Sequence, residues 1–376
     1  MVYLDNAATT YPKPEVVYRA LDEANRTLAF NAGRGSYKES SEAFQLIEKT
    51  REKVGSIVGK DKSSVIFASS ATEALNQIIY GLSLKEGDTV LVSPFEHNAV
   101  MRPLHLLEKN IGIKIEQIPF CLDTWELEIE KFQSIVALRR PKAVFVSQMS
   151  NVTGYLLPYK EIFEITSETA INVLDASQGF GIVPIKDKKN IDYVVFAGHK
   201  SLYASFGIGG FVVMRNDKLC VHKAGGTGSD SLNMDMGESG FLKYEAGSPN
   251  IVAIAGLNAS VSWLEIEDVF NKERVLFEYL SDQLRSLKKI HIYAPEKQED
   301  SLFGVISFSV EGYTPDDVGT ILYDEFGIAV RTGYHCAPLI HDFIGSKGRG
   351  GTVRVSLGAF VSQKDIDLLI EGLKSL

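Results

Sequence analysis

The sequence predicts an α/β protein with a mostly parallel sheet and a smaller α+β domain in its carboxyl-terminal part. Short apolar runs typical of strands alternate with segments whose apolar residues recur at helical spacing. The strand-like runs lack polar–apolar alternation, which is typical of a sheet covered on both faces. Polar side chains follow several of these runs, where α/β proteins bind their ligands. A chain of 376 residues is expected to form two domains or one large domain.

The elements follow one another in the order expected for crossover connections between parallel strands. Helices are predicted at 14–25 and 39–59, and strands at 64–67, 89–92, 143–146, 170–175 and 193–196. After the Gly247-Ser248-Pro249-Asn250 turn, one long helix is predicted from Ile251 to Ile266 and onward to Leu287, followed by strands at 304–308 and 352–356. We therefore predict a large domain at 14–250 and a small domain made of 1–13 and 251–376.

Composition and charge argue against several classes of protein. The net charge of −9 disfavours a nucleic-acid partner, which would require a basic surface. No apolar run reaches the ~18 residues of a membrane-spanning helix, and the first residues lack the pattern of a signal peptide. The three cysteines, Cys121, Cys220 and Cys336, are too scattered for a disulfide framework or a metal site. We expect a cytoplasmic protein without metal.

Lys200 follows the strand-like run at 193–196 and is flanked by Gly198, His199 and Ser201. A lysine at a buried strand end loses hydration, which lowers its pKa and makes its amine nucleophilic. Such an amine forms an imine with an aldehyde cofactor. The alternative is an ordinary surface lysine after a strand.

An acid, Asp175, closes the preceding strand-like run at 170–175. If both strands are parallel in one sheet, Asp175 and Lys200 meet at its carboxyl edge. Pyridoxal phosphate (PLP) needs such a pair, because a lysine carries its aldehyde as an imine and a carboxylate keeps its pyridine nitrogen protonated. Asp175 taken alone is equally consistent with a turn or helix-capping acid. Together, the two residues predict PLP as the cofactor.

Polar residues after other strand-like runs are further candidate ligands. Thr72 opens a predicted helix, whose N–H groups and dipole favour a phosphate, although a threonine there also serves as an N-cap. His97 can stack on the pyridine ring and shuttle protons, or lie on the surface as a polar loop residue. Asn151 and Gln178 can hydrogen-bond the ring oxygen, or form turns.

Cys336 lies in the segment after the strand-like run at 327–330, beside Arg331 and His335. Positive surroundings favour the thiolate, which is the reactive form of cysteine. The alternative is an incidental, inert cysteine. Cys336 is therefore a candidate nucleophile.

Three phrases occur in this order: Leu4-Asp5-Asn6-Ala7-Ala8-Thr9-Thr10, Gly198-His199-Lys200 and Arg331-Thr332-Gly333-Tyr334-His335-Cys336-Ala337. In these phrases the chain resembles, almost end to end, the class V fold-type I PLP enzymes, and among them the cysteine desulfurase and selenocysteine lyase family. The short connection from Cys336 to Arg354 is similar to that of group II desulfurases. The resemblance implies a large domain with a mostly parallel seven-stranded sheet.

The resemblance implies a role for each matching position. Lys200 corresponds to the imine-forming and proton-transferring lysine, Asp175 to the partner of the pyridine nitrogen, and Cys336 to the sulfur acceptor. His97 corresponds to the ring-stacking catalytic histidine. The other implied cofactor ligands are Ala71, Thr72, Asn151, Gln178, His199 and Ser248, and the implied substrate-binding residues are Asn6, Ala8, Arg34, Asn151 and Arg354. The family's residue at the position of Ser248 reaches the phosphate of the neighbouring subunit, which implies a homodimer.

Three positions depart from the family pattern. Ala197 stands where a phosphate-binding serine is usual, Ala71 where a threonine is common, and Gly33 where a histidine is frequent. Two hydroxyl donors to the phosphate are therefore absent, which indicates a divergent branch.

The predicted function is that of a cysteine desulfurase, which converts L-cysteine to L-alanine and leaves the sulfur on Cys336 as a persulfide for a protein acceptor. One alternative is a selenocysteine lyase, acting on L-selenocysteine, or another class V enzyme such as an aminotransferase, that does not use Cys336. A more distant alternative is a non-catalytic carrier with this fold.

Overall fold

Helices and strands alternate along the chain, as the apolar patterning predicts. The structure is a computed structural model, and it describes residues 1–33, 35–215, 217–227, 232–264, 266–296 and 301–376. The helices are α1 Glu15–Thr27, α2 Lys38–Ile57, α3 Ala71–Gly81, α4 Asn98–Ile111, α5 Ile129–Arg139, α6 Tyr159–Thr166, α7 Gly240–Tyr244, α8 Ile251–Trp263, α9 Ile266–Arg285, α10 Pro315–Phe326, α11 Ile340–Phe343 and α12 Gln363–Lys374. The strands are β1 Val2–Tyr3, β2 Val65–Ala68, β3 Thr89–Val92, β4 Lys114–Gln117, β5 Ala143–Ser147, β6 Ile171–Asp175, β7 Tyr193–Ala197, β8 Gly209–Val213, β9 Ile290–Ile292, β10 Val305–Val310, β11 Ile328–Ala329, β12 Arg331–Gly333 and β13 Thr352–Ser356.

The larger sheet has the strand order β2-β8-β7-β6-β5-β3-β4, seven strands within the described ranges. The pairs from β7 to β4 are parallel, whereas β8 runs antiparallel to β2 and β7. Both faces are buried: Val144 and Val146 of β5 lie in one hydrophobic cluster, and Ala143 and Phe145 lie in the other. The predicted mostly parallel sheet is confirmed, and its apolar runs lack alternation because each face packs against a core.

The smaller sheet is antiparallel, with the order β12-β13-β10-β9. The amino terminus joins this part of the chain, because β1 pairs in parallel with β11 and Asp5 forms a bridge with Ser356. This pairing supports the grouping of 1–13 with 251–376, whose boundaries stay a prediction. Within the described residues, no helix has both the length and the apolar character needed to cross a membrane.

The predicted single helix from Ile251 to Leu287 is wrong, because two helices, α8 and α9, occupy this stretch. Leu264 caps α8 with an extended backbone, φ −70° and ψ 101°, and its side chain is buried in the core. Apolar residues continue on both sides of the break. Helical spacing alone therefore gives no signal for it.

A buried pair links the polypeptide after Lys200 to the small sheet. The Tyr203 hydroxyl donates to Glu273 of α9 (3.3 Å) and accepts from the Ala359 N–H (2.5 Å), which lies shortly after β13. Both side chains are at most 5% exposed. Burial raises the pKa of Glu273 to about 7 from an ordinary value of 4.5.

Replacing Glu273 with glutamine should change how stability depends on pH. The folded protein holds the Glu273 proton more tightly than the unfolded chain, so this contribution to stability is present below about pH 4.5 and lost as pH rises through about 7. Relative to the Glu273→Gln variant, the unfolding free energy of the wild type should fall by roughly 2 to 3 kcal/mol between about pH 5 and pH 8. Urea unfolding at the two pH values measures this difference.

Glu278→Gln is the matched control, because Glu278 is an exposed glutamate on the same helix. It should follow the wild type at both pH values. An unfolding free-energy difference between wild type and Glu273→Gln that stays constant with pH would contradict the prediction.

Candidate active site

A cavity of about 240 Å³ opens at the carboxyl ends of β5, β6 and β7. The chain places these ends side by side, because Ser147 pairs with Asp175 and Asp175 with Val195 across the parallel strands. Most of the predicted site residues line this cavity: Ala8, Ala71, Thr72, His97, Asn151, Asp175, Gln178, His199, Lys200, Cys336 and Arg354.

Two predicted residues that the structure describes, Asn6 and Ser248, do not line the cavity. Asn6 is buried behind it, and its amide donates to the Ser356 carbonyl (3.1 Å) and accepts from the Tyr11 N–H (3.2 Å). Ser248 is exposed and lines a separate cavity of about 310 Å³. Arg34 lies outside the described residues.

Lys200 comes after β7, separated from it by Gly198 and His199, and lies in the cavity wall. Burial lowers the pKa of its amine to about 8, the charge of Asp175 opposes this shift, and Arg354 adds to it. About a tenth of the amine is therefore unprotonated at pH 7, far more than for an exposed lysine. An unprotonated amine is the form that attacks an aldehyde carbon.

The amino-terminal segment holds the peptide that joins His199 to Lys200. The His199 carbonyl accepts from the Thr9 hydroxyl (2.9 Å), the Thr10 N–H (3.1 Å) and the Lys13 ammonium (2.8 Å). The Lys200 carbonyl accepts from the Thr10 hydroxyl (3.1 Å). Burial lowers the pKa of Lys13 to about 7. Sequence reasoning missed Lys13, because nothing near it in sequence marks its contact with a loop almost 190 residues away.

Asp175 ends β6 with one carboxylate oxygen occupied and the other open. Its Oδ1 accepts from the Ser177 N–H (3.0 Å) and hydroxyl (2.5 Å). Its Oδ2 has no hydrogen-bond partner among the described residues, and only 7% of the residue is exposed. A buried carboxylate of this kind favours a positively charged or N–H donor ligand.

His97 is the N-cap of α4, and its Nδ1 accepts from the Ala99 N–H (3.0 Å). Burial lowers the pKa of this imidazole to about 3, and the charge of Lys200 contributes in the same direction. The ring is therefore neutral at physiological pH. Because Nδ1 accepts, the ring proton lies on Nε2.

The cavity lining also carries groups suited to an anion. Ala71 and Thr72 form the first turn of α3, where backbone N–H groups and the helix dipole favour negative charge. His199 stacks on Phe206 with ring centroids 4.6 Å apart. Its Nδ1 is buried and has no partner among the described side chains and backbone groups. A ligand oxygen or hydroxyl would satisfy that nitrogen.

Cys336 is an exposed residue in the cavity lining, and its loop is held in place from two sides. The Cys336 carbonyl accepts from the Asn98 N–H at the start of α4 (2.8 Å). The His335 carbonyl accepts from the Asn151 side-chain amide (2.7 Å). His335 and Cys336 both adopt the left-handed backbone region, with φ of +48° and +57°. Two such non-glycine residues in succession need support from their surroundings.

The prediction that His335 adds positive charge beside Cys336 is wrong. Its ring is buried and shares a hydrogen bond with the Thr352 hydroxyl (2.8 Å). Burial lowers the pKa of His335 to about 2, so the imidazole is neutral. The cations that line the cavity with Cys336 are Arg331, Arg354 and Lys200.

Arg354 lies on β13 and is 2% exposed. Its guanidinium donates to the Asn151 carbonyl (2.9 Å) and to Asp5 (2.5 Å). Its Nε is buried without a partner within the described part of the chain. A guanidinium with a donor left over at a cavity wall is suited to a carboxylate ligand.

The donor set fits PLP. An imine-forming amine, a buried carboxylate with one open oxygen, a histidine beside them and a helix amino terminus all face one cavity. Within the described residues, no group of three or more His, Cys, Asp or Glu side chains is arranged to hold a metal ion.

The chain is similar to proteins described as cysteine desulfurases. A probable cysteine desulfurase of Vibrio cholerae is 32% identical and covers 99% of this chain and 93% of its own length. A probable cysteine desulfurase of Methanothermobacter thermautotrophicus is 28% identical and covers 100% of this chain and 94% of its own length. The solved structure of a cysteine desulfurase from Thermococcus onnurineus has a TM-score of 0.88 at 29% identity and covers 100% of this chain and 95% of its own.

A second solved structure, a cysteine desulfurase from Escherichia coli, has a TM-score of 0.86 at 26% identity and covers 99% of this chain and 94% of its own. The sequence model described as aminotransferase class-V matches residues 2–369. Matches of this extent confirm the predicted fold class and the resemblance seen in the sequence. The chain belongs to the aminotransferase class-V family.

Proposed function

We propose that this protein is a PLP-dependent cysteine desulfurase, which converts L-cysteine to L-alanine and transfers the sulfur to Cys336. The observation that carries the proposal is the meeting of Lys200, Asp175 and Cys336 in one cavity, although they come from three separate parts of the chain. The solved relatives, which are described as cysteine desulfurases, support the same function.

PLP would supply an aldehyde carbon for the Lys200 amine and a ring that accepts electrons from the substrate Cα when its nitrogen is protonated. Asp175 would hold that nitrogen through its open Oδ2. The first turn of α3, with Ala71 and Thr72, and the His199 ring would hold the phosphate. Because Ala71 and Ala197 carry no hydroxyl, neither side chain could donate to the phosphate, and backbone N–H groups of the α3 turn would do so.

The remaining residues act on the substrate. The Arg354 guanidinium binds the substrate carboxylate, and Asn151 orients Arg354 through its carbonyl. The Lys200 amine takes the α-proton and can return it. The Cys336 thiolate attacks the substrate sulfur: an S–S bond forms, the Cβ–S bond breaks, and its electron pair stays with the carbon, which becomes alanine after protonation. His97, neutral with its proton on Nε2, can donate a hydrogen bond from Nε2 in the cavity, and the proton that Lys200 took is the one returned to the carbon.

The proposed function includes a protein sulfur acceptor, a homodimer and a cytoplasmic location. The persulfide would pass to a protein acceptor, which the exposed position of Cys336 allows. Ser248 is exposed and lies outside the cavity of its own chain, which suits a hydroxyl that reaches the phosphate in the second subunit of a homodimer. The three cysteines are free, in keeping with the reducing cytoplasm.

PLP-loaded protein incubated with L-cysteine and a reductant should release alanine and sulfide in equal amounts. Keto-acid formation is measured in the same samples, because an aminotransferase would produce keto acid instead. L-Selenocysteine is tested in parallel. Release of keto acid without sulfide would refute the proposal, and release of alanine from selenocysteine but not from cysteine by the wild-type protein would indicate a selenocysteine lyase.

A further inference from the structure

Glu96 is a fully buried carboxylate that the chemistry above does not use. Its Oε1 accepts from the Ser93 hydroxyl (2.5 Å) and the Ser147 N–H (2.7 Å), and its Oε2 accepts from the Ser147 hydroxyl (3.0 Å). No Lys, Arg or His among the described residues forms an ion pair with it. Glu96 therefore connects the segment after β3 to the last residue of β5.

Both ends of this connection reach the cavity. Ser147 lines it and pairs with Asp175 across the parallel strands β5 and β6. His97 follows Glu96 directly, caps α4 and also lines the cavity. Glu96 thus precedes His97 directly and contacts Ser147, whose strand β5 pairs with the strand β6 that carries Asp175.

A buried carboxylate is energetically unfavourable at this position. A buried charge without a cation destabilises the fold, and three hydrogen bonds offset only part of that cost. A neutral amide of the same size would span the same distance. Groups that are costly to stability in this way concentrate at functional sites.

The charge of Glu96 is coupled to the site. Burial, with a smaller contribution from the negative charge of Asp175, raises the pKa of Glu96 to about 7. The other titratable groups around the two carboxylates are His97, which is neutral, and Lys200, which interacts with Asp175. Electrostatic coupling is reciprocal, so an ionised Glu96 favours positive charge opposite Asp175.

We propose that Glu96 is a positioning residue that holds Ser147 and the His97 turn, and that its negative charge strengthens the hold of Asp175 on a protonated ring nitrogen. This inference rests on the proposed function. It predicts that the charge, and not only the shape, of Glu96 matters for turnover.

The test compares Glu96→Gln with the wild type and with Glu273→Gln, which makes the same change at another fully buried glutamate away from this cavity. Each protein is titrated for the visible absorbance of bound PLP between about pH 6 and pH 9, and kcat and KM for L-cysteine are measured. Glu96→Gln should bind PLP, shift the absorbance midpoint to lower pH by about one unit, and lower kcat about tenfold with KM unchanged.

Cofactor-free protein supplies a second readout. Both glutamine variants should lose less stability than the wild type between about pH 5 and pH 8 in urea unfolding, because each removes a buried acid. Only Glu96→Gln should show both this smaller loss of stability and the shift of the absorbance midpoint. If Glu96→Gln does not fold, Ser147→Ala, which removes one donor to Glu96, must shift the midpoint in the same direction.

A Glu96→Gln variant that has the wild-type absorbance midpoint and kcat would overturn the inference alone, as would a Ser147→Ala variant without a shift. A wild-type protein that binds no PLP would instead overturn the proposed function, because the comparison among variants then has no absorbance to follow.

Discussion

Replacing Lys200 with alanine is expected to remove the visible imine absorbance of the PLP-loaded protein. It should also lower the turnover of L-cysteine by about a thousandfold or more, because one side chain is assigned both the imine and the α-proton transfer. Burial has already lowered the pKa of this amine to about 8, so the wild type should form the imine readily near neutral pH. Absorbance spectra and alanine release measure the two effects.

Lys13 is the control that makes this experiment specific. Its amine also has a lowered pKa, about 7, and lies 2.8 Å from the His199 carbonyl, so it is a competing amine close to the site. Borohydride reduction of the PLP-loaded protein, followed by peptide mass spectrometry, should find the label on Lys200. Lys13→Ala should keep the imine absorbance. A label on Lys13, or an unchanged spectrum in Lys200→Ala, would refute the assignment.

The parts of the fold that sequence reasoning predicted are those with strong local signals. The runs that became β3, β5, β6 and β7 are short, apolar and rich in β-branched residues, and they are buried on both faces of the sheet. Their continuous apolar sequence matches their burial on both faces of the sheet. The common location of their carboxyl ends could also be predicted, because parallel strands bring these ends to one edge of the sheet.

Other elements have weak local signals. β8, Gly209–Val213, begins with two glycines, and an added Cβ at Gly210 would lie 2.0 Å from the Ile66 carbonyl oxygen. Glycine is needed there for close approach to β2, a contact that is distant in sequence. β4, Lys114–Gln117, is an edge strand with a largely polar sequence. Neither strand has the apolar pattern on which the prediction depends.

The site shows the same division. Asp175 ends β6, and Lys200 and His97 lie a few residues after β7 and β3, so their position could be predicted from the residues. Glu96 and Lys13 act through contacts with Ser147 and the His199 carbonyl, which only the folded chain brings close. The neutral state of His335 depends on burial, and a histidine beside an arginine in sequence gives no measure of burial.

Replacing Cys336 with alanine is expected to stop sulfur removal from L-cysteine while leaving the cofactor in place. Alanine release should fall by about two orders of magnitude or more, which corresponds to roughly 3 kcal/mol in the barrier. The visible absorbance of bound PLP should stay, because Lys200 and Asp175 are unchanged. Alanine keeps the Cβ, so the left-handed backbone at this position (φ +57°) is neither relieved nor further strained.

The other two free cysteines provide the controls. Cys220→Ala removes an exposed thiol and Cys121→Ala a half-buried one, and neither residue lines the cavity. Both variants should release alanine at the wild-type rate. Mass spectrometry of the wild type after cysteine treatment should find an added sulfur atom on the Cys336 peptide alone.

L-Selenocysteine separates the role of Cys336 from damage to the site as a whole. Selenium leaves carbon more easily than sulfur does, so its release depends less on attack by a thiolate. Cys336→Ala should therefore keep much of its selenocysteine turnover while it loses cysteine turnover. Loss of both activities would mean that the substitution disturbs the loop held by Asn98 and Asn151, and persistence of both at the wild-type rate would remove Cys336 from the mechanism.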